Sequence, residues 1–144
     1  MNALKLILIL PLLTLLSSCA STSDVLKDRD SGTTRTYAVT ENQAWEIAAH
    51  VFRWEGADAI EEHRRQGYML TSSGPTMFSW GTVMGAWIEP VDATHTKVTV
   101  VTKRRIAINA ATTLTESTFQ KDFAIGVKIL ESDQPLPKTK PDQK

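Results

Sequence analysis

A single cysteine, Cys19, stands in 144 residues, so it has no second thiol in the chain to pair with. That excludes an internal disulfide and any cluster of thiolate ligands. Charge of one sign is lacking as well, with 16 Lys and Arg against 16 Asp and Glu. A nucleic-acid binder would show a basic footprint, and this balance leaves none. Long apolar runs are also missing. The most apolar stretch, Leu6 to Leu16, has eleven positions and is interrupted by Pro11, whereas a membrane-spanning helix needs about 20. No H-E-x-x-H, no G-x-S-x-G, no phosphate loop and no internal repeat occurs in the sequence.

What is present begins at the N-terminus. One cation (Lys5), the apolar run and the small pair Ser17-Ser18 follow the plan of a secretory signal over residues 1–18. Leu16-Ser17-Ser18-Cys19 resembles the lipobox of bacterial lipoproteins, a Leu and two small residues before an invariant Cys. The resemblance implies that Cys19 carries diacylglycerol on its sulfur, becomes the mature N-terminus and is then N-acylated. Each buried methylene contributes about 0.8 kcal/mol, so several acyl chains hold a domain on its membrane stably. In such lipoproteins Asp directly after the Cys retains the protein in the inner membrane. Ala20 stands there, which implies the periplasmic face of the outer membrane, or the outer face of the cytoplasmic membrane where only one membrane exists.

Cleavage before Cys19 removes Lys5 and leaves 15 basic residues against 16 acidic ones, which gives the body of the domain no long-range pull toward anionic lipid. Residues 19–33 are small, polar and charged, and read as a lipidated terminus followed by a flexible tether. Residues 34–131 carry all the periodic segments and form one globular domain. Residues 132–144, with Pro135, Pro137 and Pro141 among charges, read as a disordered tail.

Within the domain, Thr36 to Val39 is a short strand, and Thr40-x-x-Gln43 is a capping box opening a helix that ends at Gly56. From Asp58 to about Arg105 the period falls to two, with strands near 58–64 and 67–72 (or one bent strand), 79–90 and 95–105. Pro90 ends the third, and Val91 to Thr94 turn the chain back. Thr113-x-x-Glu116 opens a second helix over about 114–131, with Phe119, Phe123, Val127 and Leu130 on one face. The expected fold is α+β, a two-layer sandwich in β-α-β-β-β-α order, with an antiparallel sheet and two helices on one face. This order, over about residues 34–131, resembles the small helix-grip-like domains of bacterial envelope lipoproteins, including outer-membrane-assembly accessory factors (BamC type). It rests on element order, so no functional residue comes with it.

Candidate chemistry is sparse. His50, His63 and His95 lack ligand-like spacing, and adjacent Glu61 and Glu62 point to opposite faces of a strand. With Cys19 used by the anchor, no catalytic constellation, metal site or cofactor is expected. Lys103-Arg104-Arg105 with Arg64 and Arg65 reads as solvated strand ends or as a contact for headgroups.

Aromatics make up only 7% of the chain, yet four are Trp, and several gather with Met. Met77-Phe78-Ser79-Trp80 follows the turn at Gly74-Pro75, and Met84 and Trp87 come soon after. The third strand is apolar on both faces, Val83 and Trp87 on one and Met84, Ala86 and Ile88 on the other. Helices cover one face of a two-layer sheet, so Met77, Phe78, Trp80, Met84 and Ile88 are candidates for an exposed contact surface. Alternatively Trp45, Trp54 and Trp87 make the core of a small domain, and the 74–80 loop folds over its edge. The function expected is a non-catalytic, membrane-anchored interaction or accessory module whose partner is an envelope protein or its own copy. The second reading is a module that binds a small apolar ligand or lipid in its helix–sheet interior.

Overall fold

Alternating β-branched residues with helical stripes on either side dictate a sheet with helices laid across it. The computed structural model describes residues 21–57, 59–73, 81–104 and 115–142. Helix α1 (Thr22–Lys27) comes first, then β1 (Thr33–Tyr37) and α2 (Glu41–Trp54). Strands β2 (Ala59–His63), β3 (Tyr68–Ser73), β4 (Thr82–Pro90) and β5 (Thr96–Arg104) follow, and α3 (Glu116–Glu131) closes the fold. All five strands are antiparallel in the order β1-β5-β4-β3-β2. The α+β class expected from the sequence is the one observed.

The segment 58–72 is two strands rather than one bent strand, so the order from β1 onward is β-α-β-β-β-β-α. A 3₁₀ turn at Arg64–Gln66 reverses the chain, and Gly67 at φ 75° makes the left-handed step into β3. The hairpin then pairs His63 with Tyr68 and Glu62 with Met69.

Helix α2 starts where its capping box lies, with Gln43 N–H donating to Thr40 Oγ1 at 3.3 Å and Thr40 N–H donating to Gln43 Oε1 at 3.0 Å. Helix α3 starts differently from expectation. Its N-cap is Thr115, whose hydroxyl accepts from Thr118 N–H, in place of Thr113. Glu116 is drawn instead to the sheet, accepting from Thr33 N–H and its hydroxyl (3.1 and 2.6 Å) and from Thr102 N–H (3.1 Å). Those backbone donors need an acceptor, and this outweighs the local cap.

One face of the sheet lies under α2 and α3. Phe52, Phe119 and Phe123 meet Met69, Met84, Ala86, Ile88, Val98 and Val100 there, forming the main core. Phe123 packs 4.5 Å from the ring of Tyr37, whose hydroxyl donates to Gln120 Oε1 at 2.6 Å. Buried Gln120 in turn donates to the carbonyls of Thr33 and Val98, so this polar side chain is satisfied inside the core.

Two segments read from the sequence as loose are packed. Residues 22–27, placed in the tether, form α1 on the opposite face of the sheet. The tail crosses the helix layer, where Leu136 is buried and Trp54 Nε1 donates to the Pro137 carbonyl at 2.9 Å. In each case one apolar side chain finds a site that exists only once the sheet and helices are assembled.

Candidate functional site

The candidate contact surface divides in two. Met77, Phe78 and Trp80 lie outside the described residues, as does Cys19. Met84 and Ile88 are 0% and 1% exposed, and they form no contact surface. The register explains the correction: Met84, Ala86 and Ile88 share the face that α2 and α3 cover, opposite Thr102, Val100 and Val98 of β5. The open sheet face expected there does not exist.

The other face carries Tyr68, Leu70, Val83, Gly85, Trp87 and Val101, and a second apolar cluster forms on it around Val25 of α1. Sequence alone missed α1, because six residues with two adjacent apolar side chains, Val25 and Leu26, give no helical stripe. The remaining signal was Ser21-x-x-Asp24, where Ser21 N–H donates to Asp24 Oδ2 at 2.7 Å. That bond, first among several, holds the Asp24 carboxyl below its ordinary range. Ionic contacts surround the knob. Asp28 pairs with Lys103, and Arg29 reaches Glu89 at 2.6 Å while lying 5.9 Å from the centre of the Trp87 ring. Lys97 meets the same Glu89 at 3.1 Å. The hydrogen bond from Arg29 is the main reason that Glu89 stays ionised below the usual range.

A stack of rings continues this face toward the β2 edge. His63 lies 4.7 Å from Tyr68, and Tyr68 lies 6.2 Å from Trp87. Of the remaining cations of the sequence reading, Arg64 has close partners. Arg64 bonds Glu62 at 2.8 Å and covers the Trp45 ring at 4.8 Å, while Arg105 lies outside the described residues. The three histidines stay apart, His50 on α2, His63 on β2 and His95 in the turn before β5, where Asp92 holds its Nδ1 at 3.0 Å. Among the described residues no three His, Cys, Asp or Glu side chains converge.

A third cluster joins the tail to the helices. Lys140 Nζ lies 2.6 Å from Glu55 Oε1 and 2.7 Å from Asp122 Oδ2, and the Asp122 side chain is 1% exposed. Burial first, and then the neighbouring Asp122 carboxyl, push Glu55 above its ordinary value. Burial opposes the Lys140 charge, but hydrogen bonds to Asp122 and Glu55 outweigh it and raise the ammonium. One cation thus serves two sequestered carboxyls, and a tail segment is held by charge as well as by Leu136.

The chain matches no protein-family model and no curated protein. No helix among the described residues is long and apolar enough to cross a membrane.

Proposed function

We propose that the chain is a lipid-anchored protein of the bacterial cell envelope, held by palmitate-type acylation at Cys19, whose folded domain acts as a non-catalytic interaction or accessory module. The observation that carries this reading is Leu16-Ser17-Ser18-Cys19 closing a short apolar run. With Ala20 after the cysteine, the reading places the protein on the periplasmic face of the outer membrane. Partners are then the membrane itself and an envelope protein or a second copy. The interior of the domain supports this reading over apolar-ligand binding, since Phe52, Phe119, Phe123, Met69 and Met84 fill the space between helices and sheet.

Metabolic labelling with a palmitate analogue tests the anchor. Wild type takes the label and Cys19→Ser does not, because the thioether needs sulfur; equal labelling of both rejects the anchor. Crosslinking in the native envelope tests the module. Replacing Phe78 and Trp80 by Ser is expected to leave the melting temperature nearly unchanged and to abolish crosslinks. A large fall in melting temperature instead assigns the segment to the core.

A further inference from the structure

We infer that the face of the sheet carrying α1 is the membrane-facing side of the domain, seated against phospholipid headgroups, with the α2–α3 layer turned away from the bilayer. The inference rests on the anchor at Cys19 proposed above and adds an orientation to it. Its first support is the short stretch of sequence between Cys19 and α1. Cys19 precedes Ser21 by two residues, which extended chain spans in about 7 Å. Ser21 is already the N-cap of α1. No long tether therefore separates the acyl chains from the fold.

Helix α1 is itself fixed. Val25 is fully buried in the notch above Gly85, and Asp28 and Arg29 tie the following residues to Lys103 and Glu89. Acyl chains leaving Cys19 consequently bring this sheet face, and not an arbitrary one, to the interface. A second, independent observation lies on α1. Leu26 is 37% exposed and is one of only two large apolar side chains exposed among the described residues. Adjacent helical positions are turned by about 100°, so Leu26 leaves the notch that holds Val25, and it stands beside Lys27, whose stem and ammonium suit an interfacial position.

Charge does not supply the attraction. Arg29 and Lys97 are committed to Glu89, and Lys103 to Asp28, so the described residues of this face offer anionic lipid no free row of cations. The seat is set by the anchor and by Leu26, and it should be insensitive to salt and to lipid charge.

The test uses the full lipidated protein in phosphatidylcholine vesicles that contain a lipid with a paramagnetic quencher at its headgroup. With Cys19 consumed by its thioether, a single introduced cysteine carries the fluorophore. Thr36→Cys places it on the α1 side of the sheet, next to Lys97, and Glu46→Cys places it on the solvent side of α2. The second site is set back by at least a helix diameter, about 10–12 Å. The expected result is several-fold stronger quenching at position 36 than at 46, unchanged by salt or by added phosphatidylglycerol. Adding Gly85→Ala, which displaces Val25, is expected to erase the difference. Flotation with the vesicles is read first. Protein that does not float rejects the anchor, and the orientation falls with it. Protein that floats with equal quenching at both sites keeps the anchor and overturns the orientation alone. Disulfide-linked dimers of Thr36→Cys before labelling would assign the face to a second copy, and that also overturns the inference.

Discussion

Val25 and Gly85 fit each other as knob and notch: a β-carbon at position 85 would stand 2.7 Å from Val25 Cγ1 and 3.1 Å from the Trp87 ring. Real β-carbons do not sit at 2.7 Å, so helix α1 and the middle of β4 are matched in size. Through this pair, the residues that follow Cys19 become part of the fold. The same contact closes a sheet face that otherwise would expose Leu70, Val83 and Val101.

Val25→Ala should destabilise the domain by about 1–3 kcal/mol, since it removes buried methyls and leaves a gap over the sheet. Leu26→Ala, one residue on and exposed, should stay within about 0.5 kcal/mol. Urea denaturation of the mature chain measures both. Equal costs at the two positions would mean that α1 is not docked through Val25.

Gly85→Ala should cost about 1–3 kcal/mol by overpacking. The cost should shrink in the Val25→Ala background, because the atom it strikes is gone. A double-mutant cycle is expected to give a coupling of about 0.5–3 kcal/mol, whereas additive effects would separate the two residues.

Lys140→Met leaves Glu55 and Asp122 without their cation. Breaking a fully buried ion pair costs about 3–5 kcal/mol. Lys140 is 34% exposed, so solvent screening lowers the expectation to roughly 1–3 kcal/mol at pH 7. The pH dependence has a definite sign. Glu55 is raised in the folded state, so its contribution is complete below its ordinary 4.5 and is lost as pH rises through the raised value. The variant should therefore lose more stability at pH 7 than at pH 4, as melting temperatures at the two values would show. In wild type, the raised Lys140 contributes fully below 10.5 and loses that contribution as pH rises through its folded value. A variant whose deficit is the same at pH 4 and pH 7 would contradict the shared-cation arrangement.

Phe123→Ala should cost about 3–5 kcal/mol, because the ring is fully buried against Tyr37 and Phe119. Gln120→Met keeps the volume and removes the side-chain bonds to the Thr33 and Val98 carbonyls and from the Tyr37 hydroxyl, which keeps the Gln120 backbone carbonyl, at an expected cost of about 1–3 kcal/mol. Chemical denaturation ranks the two, and a neutral Gln120→Met would show that the buried amide is dispensable.

Local pattern was enough to read several elements before any tertiary structure was known. Thr40 and Gln43 announce the start of α2 because a capping box is closed by residues three apart. The period of two through β4 and β5, and the Phe119–Phe123–Val127 stripe on α3, reflect burial that each element carries along its own length. Together these determine an α+β domain with an antiparallel sheet. The anchor proposed at Leu16-Ser17-Ser18-Cys19 rests on residue type and spacing alone.

Tertiary structure decided whatever depends on a surface assembled from distant segments. Met84 and Ile88 look the same in sequence whether a helix covers them or not, and the covering residues lie on α2 and α3. Val25 and Leu136 sit in polar stretches with no stripe, and each is held by a notch contributed from far along the chain. Glu116 forsakes its own helix cap for Thr33, 83 residues away. Lys140 settles between Glu55 and Asp122, groups no spacing rule connects. The sequence alone determined the periodic elements, since hydrogen bonding and side-chain period act over a few residues. Packing of the polar ends onto the finished sheet belongs to the tertiary structure, because burial and desolvation act between residues that only folding brings together.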